Sequence, residues 1–139
     1  MTRKRVLILC TGNSARSQMA EGLLRHMAGD RFDAHSAGTR PVGLNPNAVA
    51  AMNEIGIDIS KHRSKSVDEF TGQEFDYVIT VCDNARESCP IFSGTAKRIH
   101  QSFRDPAAFP ADQQLPAFRD VRDELAAWLK GFAQDEVKP

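Results

Sequence analysis

Three cysteines are the residues most able to do chemistry in this sequence: Cys10, Cys82 and Cys89. An odd number of thiols, with no export signal preceding them, argues against a structural disulfide framework and for reactive sulfur. Cys10 opens the run Cys10-Thr11-Gly12-Asn13-Ser14-Ala15-Arg16-Ser17, in which an arginine follows after five residues. Set between a strand and a helix, such a loop gathers backbone N–H groups into one concavity, and the helix macrodipole adds positive potential there, so it can hold an anion. Gly12 lets the chain curl tightly, and Asn13 tolerates a left-handed conformation or pins the loop with its side chain. Arg16 offers a planar fork to two oxyanion oxygens. Ser17 is placed to hydrogen-bond the Cys10 sulfur, and the same field favours thiolate over thiol. Cys10 therefore reads as a nucleophile, with Thr11, Gly12, Asn13, Ser14, Ala15, Arg16 and Ser17 forming its oxyanion-binding loop. The plain alternative is an inert core thiol followed by an ordinary strand-to-helix turn.

A covalent adduct on sulfur needs a proton delivered to the departing oxygen, which a positioned carboxylic acid can supply. Asp105-Pro106 is the candidate, because the proline restricts Asp105 to extended geometry and stiffens its loop. Taken alone, Asp-Pro is commonly only a turn. Cys82 and Cys89 follow the end of a predicted buried strand, the edge at which α/β sheets place ligand sites, so both thiols are expected near Cys10. If the intervening segment were helical, cysteines seven apart would be separated by about 10 Å along the axis. A disulfide needs Cα atoms within about 7 Å, so bonding requires the segment to unwind. Its residues, Asp83-Asn84-Ala85-Arg86-Glu87-Ser88, are mostly polar and present no strong apolar stripe to resist that. The competing reading is two unrelated cysteines. No histidine stands at zinc-ligand spacing to them. His26, His35, His62 and His100 are scattered and read as surface or packing residues, and no metal or organic cofactor is expected.

The elements that position these groups follow from pattern. Val6 to Leu9 is a continuous apolar run suited to a strand buried on both faces, ending at Cys10. Met19, Ala20, Leu23, Leu24 and Met27 form a helical stripe from about Ala15 to Met27. Phe32 to Ala37 alternates weakly and stops at Gly38. Asn45-Pro46 supplies an N-cap and a first-turn proline for a helix to about Ile55, closed by Gly56. Phe75 to Val81 is a second buried strand, Lys97 to Phe103 a third, and Pro116 to Ala133 a terminal helix. The stretches 60–71 and 107–114 give no clear signal. Strands alternating with helices predict an α/β fold, with a parallel sheet and helices on both faces.

The chain has 139 residues, enough for one domain spanning 1–139 with a substantial core. Its 18 basic residues balance its 18 acidic ones, so no global charge recommends nucleic acid or an anionic membrane as partner. The apolar run after Arg3-Lys4-Arg5 is too short for a signal peptide, and no stretch approaches the roughly 20 apolar residues of a membrane helix. A cytosolic protein is expected.

With the loop, the acid and the two later cysteines together, the sequence resembles the low-molecular-weight protein tyrosine phosphatase superfamily. That superfamily's loop is Cys-x5-Arg-Ser directly after the first strand. Within it the chain is most similar to the thioredoxin-coupled arsenate reductases, over nearly its whole length. The resemblance implies a central four-stranded parallel sheet and assigns Asp105 the general-acid role. Phosphotyrosine phosphatases usually follow this Asp-Pro with aromatic residues, whereas Ala107 and Ala108 stand here, favouring a small inorganic oxyanion. The implied activity is reduction of arsenate, with phosphate or sulfate as mimics, by a relay from Cys10 to Cys82 to Cys89 recycled by thioredoxin in a monomer. A phosphatase, or a non-catalytic redox-sensing anion-binding module, are the alternatives. Some family members bind potassium through an asparagine, a glutamate, a serine and an aspartate. Asn13, Glu21 and Ser36 match three of these, but Lys65 stands at the fourth. The expectation is that the Lys65 ammonium takes the ion's place and steadies Asn13.

Overall fold

Val6, Leu7, Ile8 and Leu9 are all 0 % exposed, and because successive strand residues face opposite sides, the sheet they belong to is covered on both faces. In the computed structural model, which describes residues 3–82 and 96–136, they lie in β1, Lys4–Cys10. Beside β1 run β2, Phe32–Gly38, and β3, Tyr77–Thr80, with β4, Lys97–His100, beyond β3. All pairs are parallel and the order is β2-β1-β3-β4. Among the described residues, three helices pack with this sheet: α1, Arg16–Ala28; α2, Pro46–Asn53; and α3, Ala111–Glu136. The architecture is the expected α/β class with its four-stranded parallel sheet.

Local chemistry sets most boundaries. Asn45 caps α2 by accepting the N–H of Asn47 at 2.8 Å, with Pro46 at the first position. Gly56, at φ 79°, follows its end. The two later strands are shorter than the apolar patterns suggest, because only Tyr77 to Thr80 and Lys97 to His100 find register partners. Past them, Gln101 and Phe103 donate N–H to Thr80 and Val81, which carries the chain along the sheet edge toward Asp105.

The terminal helix begins at Ala111, five residues before Pro116, so the proline lies inside it. Proline in a helix removes one backbone hydrogen bond. Tertiary contacts hold the added turn: Gln114 donates to the carbonyls of Ala107 and Phe109 and accepts from Asn47. Among the described residues, no helix is long and apolar enough to cross a membrane.

The strand order places the sheet's topological switch between β1 and β3, since the chain leaves β1 toward β2 on one side while β3 lies on the other. Clefts in such sheets open at the carboxyl ends of the strands flanking the switch. Cys10 is the last residue of β1, and Cys82 follows β3 by two residues. Cys89 lies outside the described residues.

Candidate active site

The loop after Cys10 has its carbonyls occupied from outside. Thr39, Arg40, Val42 and Asn45, on the segment following β2, donate N–H in turn to the carbonyls of Cys10, Thr11, Gly12 and Ser14, at 3.3, 2.8, 3.1 and 2.9 Å. The Asn13 carbonyl accepts from Gln18 Nε2, and that of Gly12 also from Ser64 Oγ. In a trans peptide the C=O and the next N–H point in opposite directions, so this strapping turns the N–H groups of residues 11–15 the other way. None of the backbone N–H groups of residues 11–16 has an acceptor among the described residues. Helix α1 also begins without a side-chain cap at Ala15. Donors left without protein partners at a helix N-terminus form a site for an anion.

A second layer holds the loop from behind through Asn13, which is 0 % exposed and sits at φ 45°. The Lys65 main-chain N–H, which can only donate, reaches Asn13 Oδ1 at 2.8 Å and so settles the orientation of the amide. Its Nδ2 then donates to Ser17 Oγ at 2.8 Å and to Ser36 Oγ at 3.0 Å. Ser36 passes its own hydrogen to Glu21 Oε1 at 2.8 Å. Ser17, already an acceptor, has its hydrogen left for the Cys10 sulfur 2.9 Å away. This is the Ser17 contact with the Cys10 sulfur that the sequence suggests, with a hydroxyl donor turned to that sulfur.

In front of the loop is a cleft of about 410 Å³, with Cys10, Arg16, Arg40, Asp105 and Ala107 in its wall. Arg16 donates one N–H to the Phe103 carbonyl at 3.0 Å, which aims the guanidinium while leaving other donors for a ligand. Asp105 is extended, at φ −81° and ψ 106°, as its proline demands, and Oδ1 accepts the Ala107 N–H at 3.0 Å. Cys82 is 5 % exposed, and its sulfur lies 3.4 Å from the hydroxyl of Thr11, within the loop. Both described cysteines are free thiols.

Sequence reading overlooked three contributors. Arg40 adds a second guanidinium to the cleft wall; it follows the end of β2, the strand beside β1, and belongs to no motif. Gly38 is needed for space, since a Cβ there would lie 2.6 Å from the Thr11 carbonyl and 2.8 Å from the Asn13 nitrogen. Ser64, in the stretch 60–71 that gave no clear signal, holds the loop beside the anticipated Lys65, whose carbonyl also accepts the Gly38 N–H.

The expectation for Lys65 needs one correction. Its main chain, not its ammonium, steadies Asn13; Nζ lies 3.6 Å from Glu21 Oε1 and donates to the Arg63 carbonyl at 3.2 Å. Asn13, Ser36 and Glu21 are already bonded to one another, with the ammonium beside them. A potassium ion does not fit this arrangement, because it would meet a like charge and polar atoms whose partners are taken. Of the four histidines, His62 supports the site: Nδ1 is 3.0 Å from Gln18 Oε1 and 3.3 Å from Glu21 Oε2. Burial holds its ring below the ordinary histidine value.

A parallel sheet ending in a cysteine ringed by free amides and followed by an arginine defines an oxyanion-binding thiol enzyme class. The chain matches the low molecular weight phosphotyrosine protein phosphatase family over residues 5–138, and it belongs to that family. The arsenate reductase of Halalkalibacterium halodurans is 45% identical to it over 136 residues, which are 96% of this chain and 98% of that protein. Among solved structures, an arsenate reductase in the phosphate binding state is similar with a TM-score of 0.77 and 29% identity, over 95% of this chain and 98% of the other. The low molecular weight protein tyrosine phosphatase from T. tengcongensis has a TM-score of 0.75 and 27% identity, over 95% and 99%.

Proposed function

We propose that the protein is an arsenate reductase working through a thiol relay. One observation carries the reading: the Cys10 sulfur sits in a loop whose amides have no partner among the described residues, and a second free thiol, Cys82, touches that loop at Thr11. A phosphatase uses the first feature and has no task for the second. The high similarity to arsenate reductases along the whole chain supports the same choice.

The Cys10 thiolate attacks arsenic, while the amides of residues 11–16 and Arg16 hold the oxygens, and Asp105 protonates the oxygen that leaves. Cys82 then attacks the Cys10 sulfur; the electron pair of the breaking sulfur–arsenic bond passes to arsenic, and arsenite departs from a Cys10–Cys82 disulfide. Cys89 attacks Cys82 in turn, which frees Cys10 and forms Cys82–Cys89. A dithiol of lower reduction potential, thioredoxin in this reading, reduces that bond. We take the protein to act as a cytosolic monomer, with phosphate and sulfate as unreactive mimics in the cleft.

The test is arsenate-dependent NADPH oxidation with thioredoxin and its reductase, run beside a glutaredoxin system. Turnover with thioredoxin, lost when Cys82 is replaced by Ser, is the expected result. Hydrolysis of an aryl phosphate without any arsenate-dependent oxidation would instead identify a phosphatase.

A further inference from the structure

Glu21 is a carboxylate with only 3 % of its side chain exposed, one helical turn beyond the oxyanion loop and outside the cleft. Its two oxygens are served separately. Oε2 faces Arg25 Nη1 at 3.2 Å and His62 Nδ1 at 3.3 Å. Oε1 accepts the hydrogen of Ser36 and faces Lys65 Nζ at 3.6 Å. That second oxygen is the end of the chain running through Ser36, Asn13 and Ser17 to the Cys10 sulfur. Lys65 therefore grips this chain at two points, with its main-chain N–H on Asn13 and its ammonium on Glu21.

We infer that Lys65 is a positioning residue whose ammonium is a built-in counter-cation beside Glu21, holding that carboxylate in place so that the chain from Glu21 presents the Ser17 hydrogen to Cys10. The physical logic is orientation. Glu21 takes the Ser36 hydrogen, which leaves Ser36 to accept from Asn13; Asn13 gives its other amide hydrogen to Ser17, which leaves the Ser17 hydrogen for sulfur. Burying a carboxylate this deeply is costly unless it is paired and hydrogen-bonded. Burial pulls the Lys65 ammonium below the ordinary lysine value and Glu21 pulls it back up, as for a desolvated cation facing its anion. The other charges facing Lys65 are Arg25 of α1 and, on its own side, Arg63, His62 and Glu69; Glu69 is opposite in sign but is forked by Arg63, so Glu21 is the carboxylate that holds the ammonium.

The inference rests on Cys10 being the nucleophile, and it is tested without arsenate. Cys10 is alkylated with iodoacetamide across pH, its adduct is followed by peptide mass spectrometry, and melting temperatures are measured in KCl, NaCl and choline chloride at equal ionic strength. For the unaltered protein, rate and melting temperature are expected to be the same in KCl and NaCl. Lys65→Met should alkylate about threefold to tenfold more slowly at neutral pH, with its profile displaced to higher pH. Lys65→Arg should retain most of the rate. In Lys65→Ala, where the ammonium's place opens toward Glu21 and the Arg63 carbonyl, KCl should restore part of the rate and choline should not. An unchanged Lys65→Met profile, or a potassium-specific stabilisation of the unaltered protein, overturns the inference. The second measurement stands even if the variants fold poorly. Failure to reduce arsenate would overturn the relay while leaving these outcomes intact.

Discussion

Asn13 adopts the left-handed backbone that L-residues avoid at a cost of about 1–2 kcal/mol, and its hydrogen bonds to Ser17, Ser36, Gln18 and Lys65 offset that strain. The cost is tolerated because the bend turns loop carbonyls outward and amides inward. Gly38 makes the bend physically accessible from the β2 side. Gly38→Ala would push a methyl against backbone atoms of Thr11 and Asn13, which cannot move without breaking the loop. The expected loss is about 1–3 kcal/mol of stability, seen in thermal melts, together with loss of phosphate protection of Cys10 against alkylation. A variant that melts with the parent and is still protected would remove Gly38 from this role. Arg40 contributes differently, as an exposed charge at the rim of the cleft. Arg40→Gln should raise KM for arsenate about twofold to fivefold with kcat unchanged, and the effect should fade at high salt. A fall in kcat would place Arg40 in the chemistry instead.

At the scale of elements, the segment between β2 and α2 works as a splint, and α2 is where it is anchored. Asn45 both donates its N–H to the Ser14 carbonyl and caps α2. The far end of α2 is tied to α3: Arg119 forms a fork with Glu54, and Arg122, 8 % exposed, donates to Glu54 and to the Ala51 carbonyl. The Arg119 hydrogen bonds hold the Glu54 carboxyl below the ordinary glutamate value of 4.5, with Arg122 adding to the effect. A depressed folded-state value means the tie is complete above about pH 4.5 and is lost as pH falls through the lower value in the folded protein. Glu54→Gln should therefore lower the melting temperature at neutral pH and flatten its decline on acidification. Differential scanning calorimetry from pH 3 to 7 checks this, and parallel curves for the two proteins would exclude the tie as a contributor.

For the whole molecule, the order β2-β1-β3-β4 decides which thiols can exchange. Cys10 and Cys82 are 72 positions apart in the chain yet stand at the same end of the sheet, with the Cys82 sulfur against Thr11 beside Cys10, because β1 and β3 are adjacent at the switch. The relay in turn makes a prediction about Cys89. Cys89→Ser should produce one equivalent of arsenite per enzyme and then stop, with a Cys10–Cys82 disulfide recoverable by mass spectrometry. Sustained turnover with thioredoxin in that variant would show that Cys82 passes its bond onward without Cys89.

Local signals in the sequence were enough to define the apolar strand ending at Cys10, a helix from about Ala15 that is observed from Arg16, the Asn45-Pro46 cap and the extended Asp105. Each is governed by residues within a few positions of one another, where periodicity and backbone restriction act directly. The boundary of α3 was not legible, because Pro116 signals a start while the contacts of Gln114 with distant Asn47 and Phe109 override it. Nor were the outward carbonyls, the space at Gly38, the Arg40 guanidinium or the double grip of Lys65. Those depend on chain segments separated by tens of residues being pressed together, and a one-dimensional pattern carries no term for which backbone N–H will find which carbonyl across that gap.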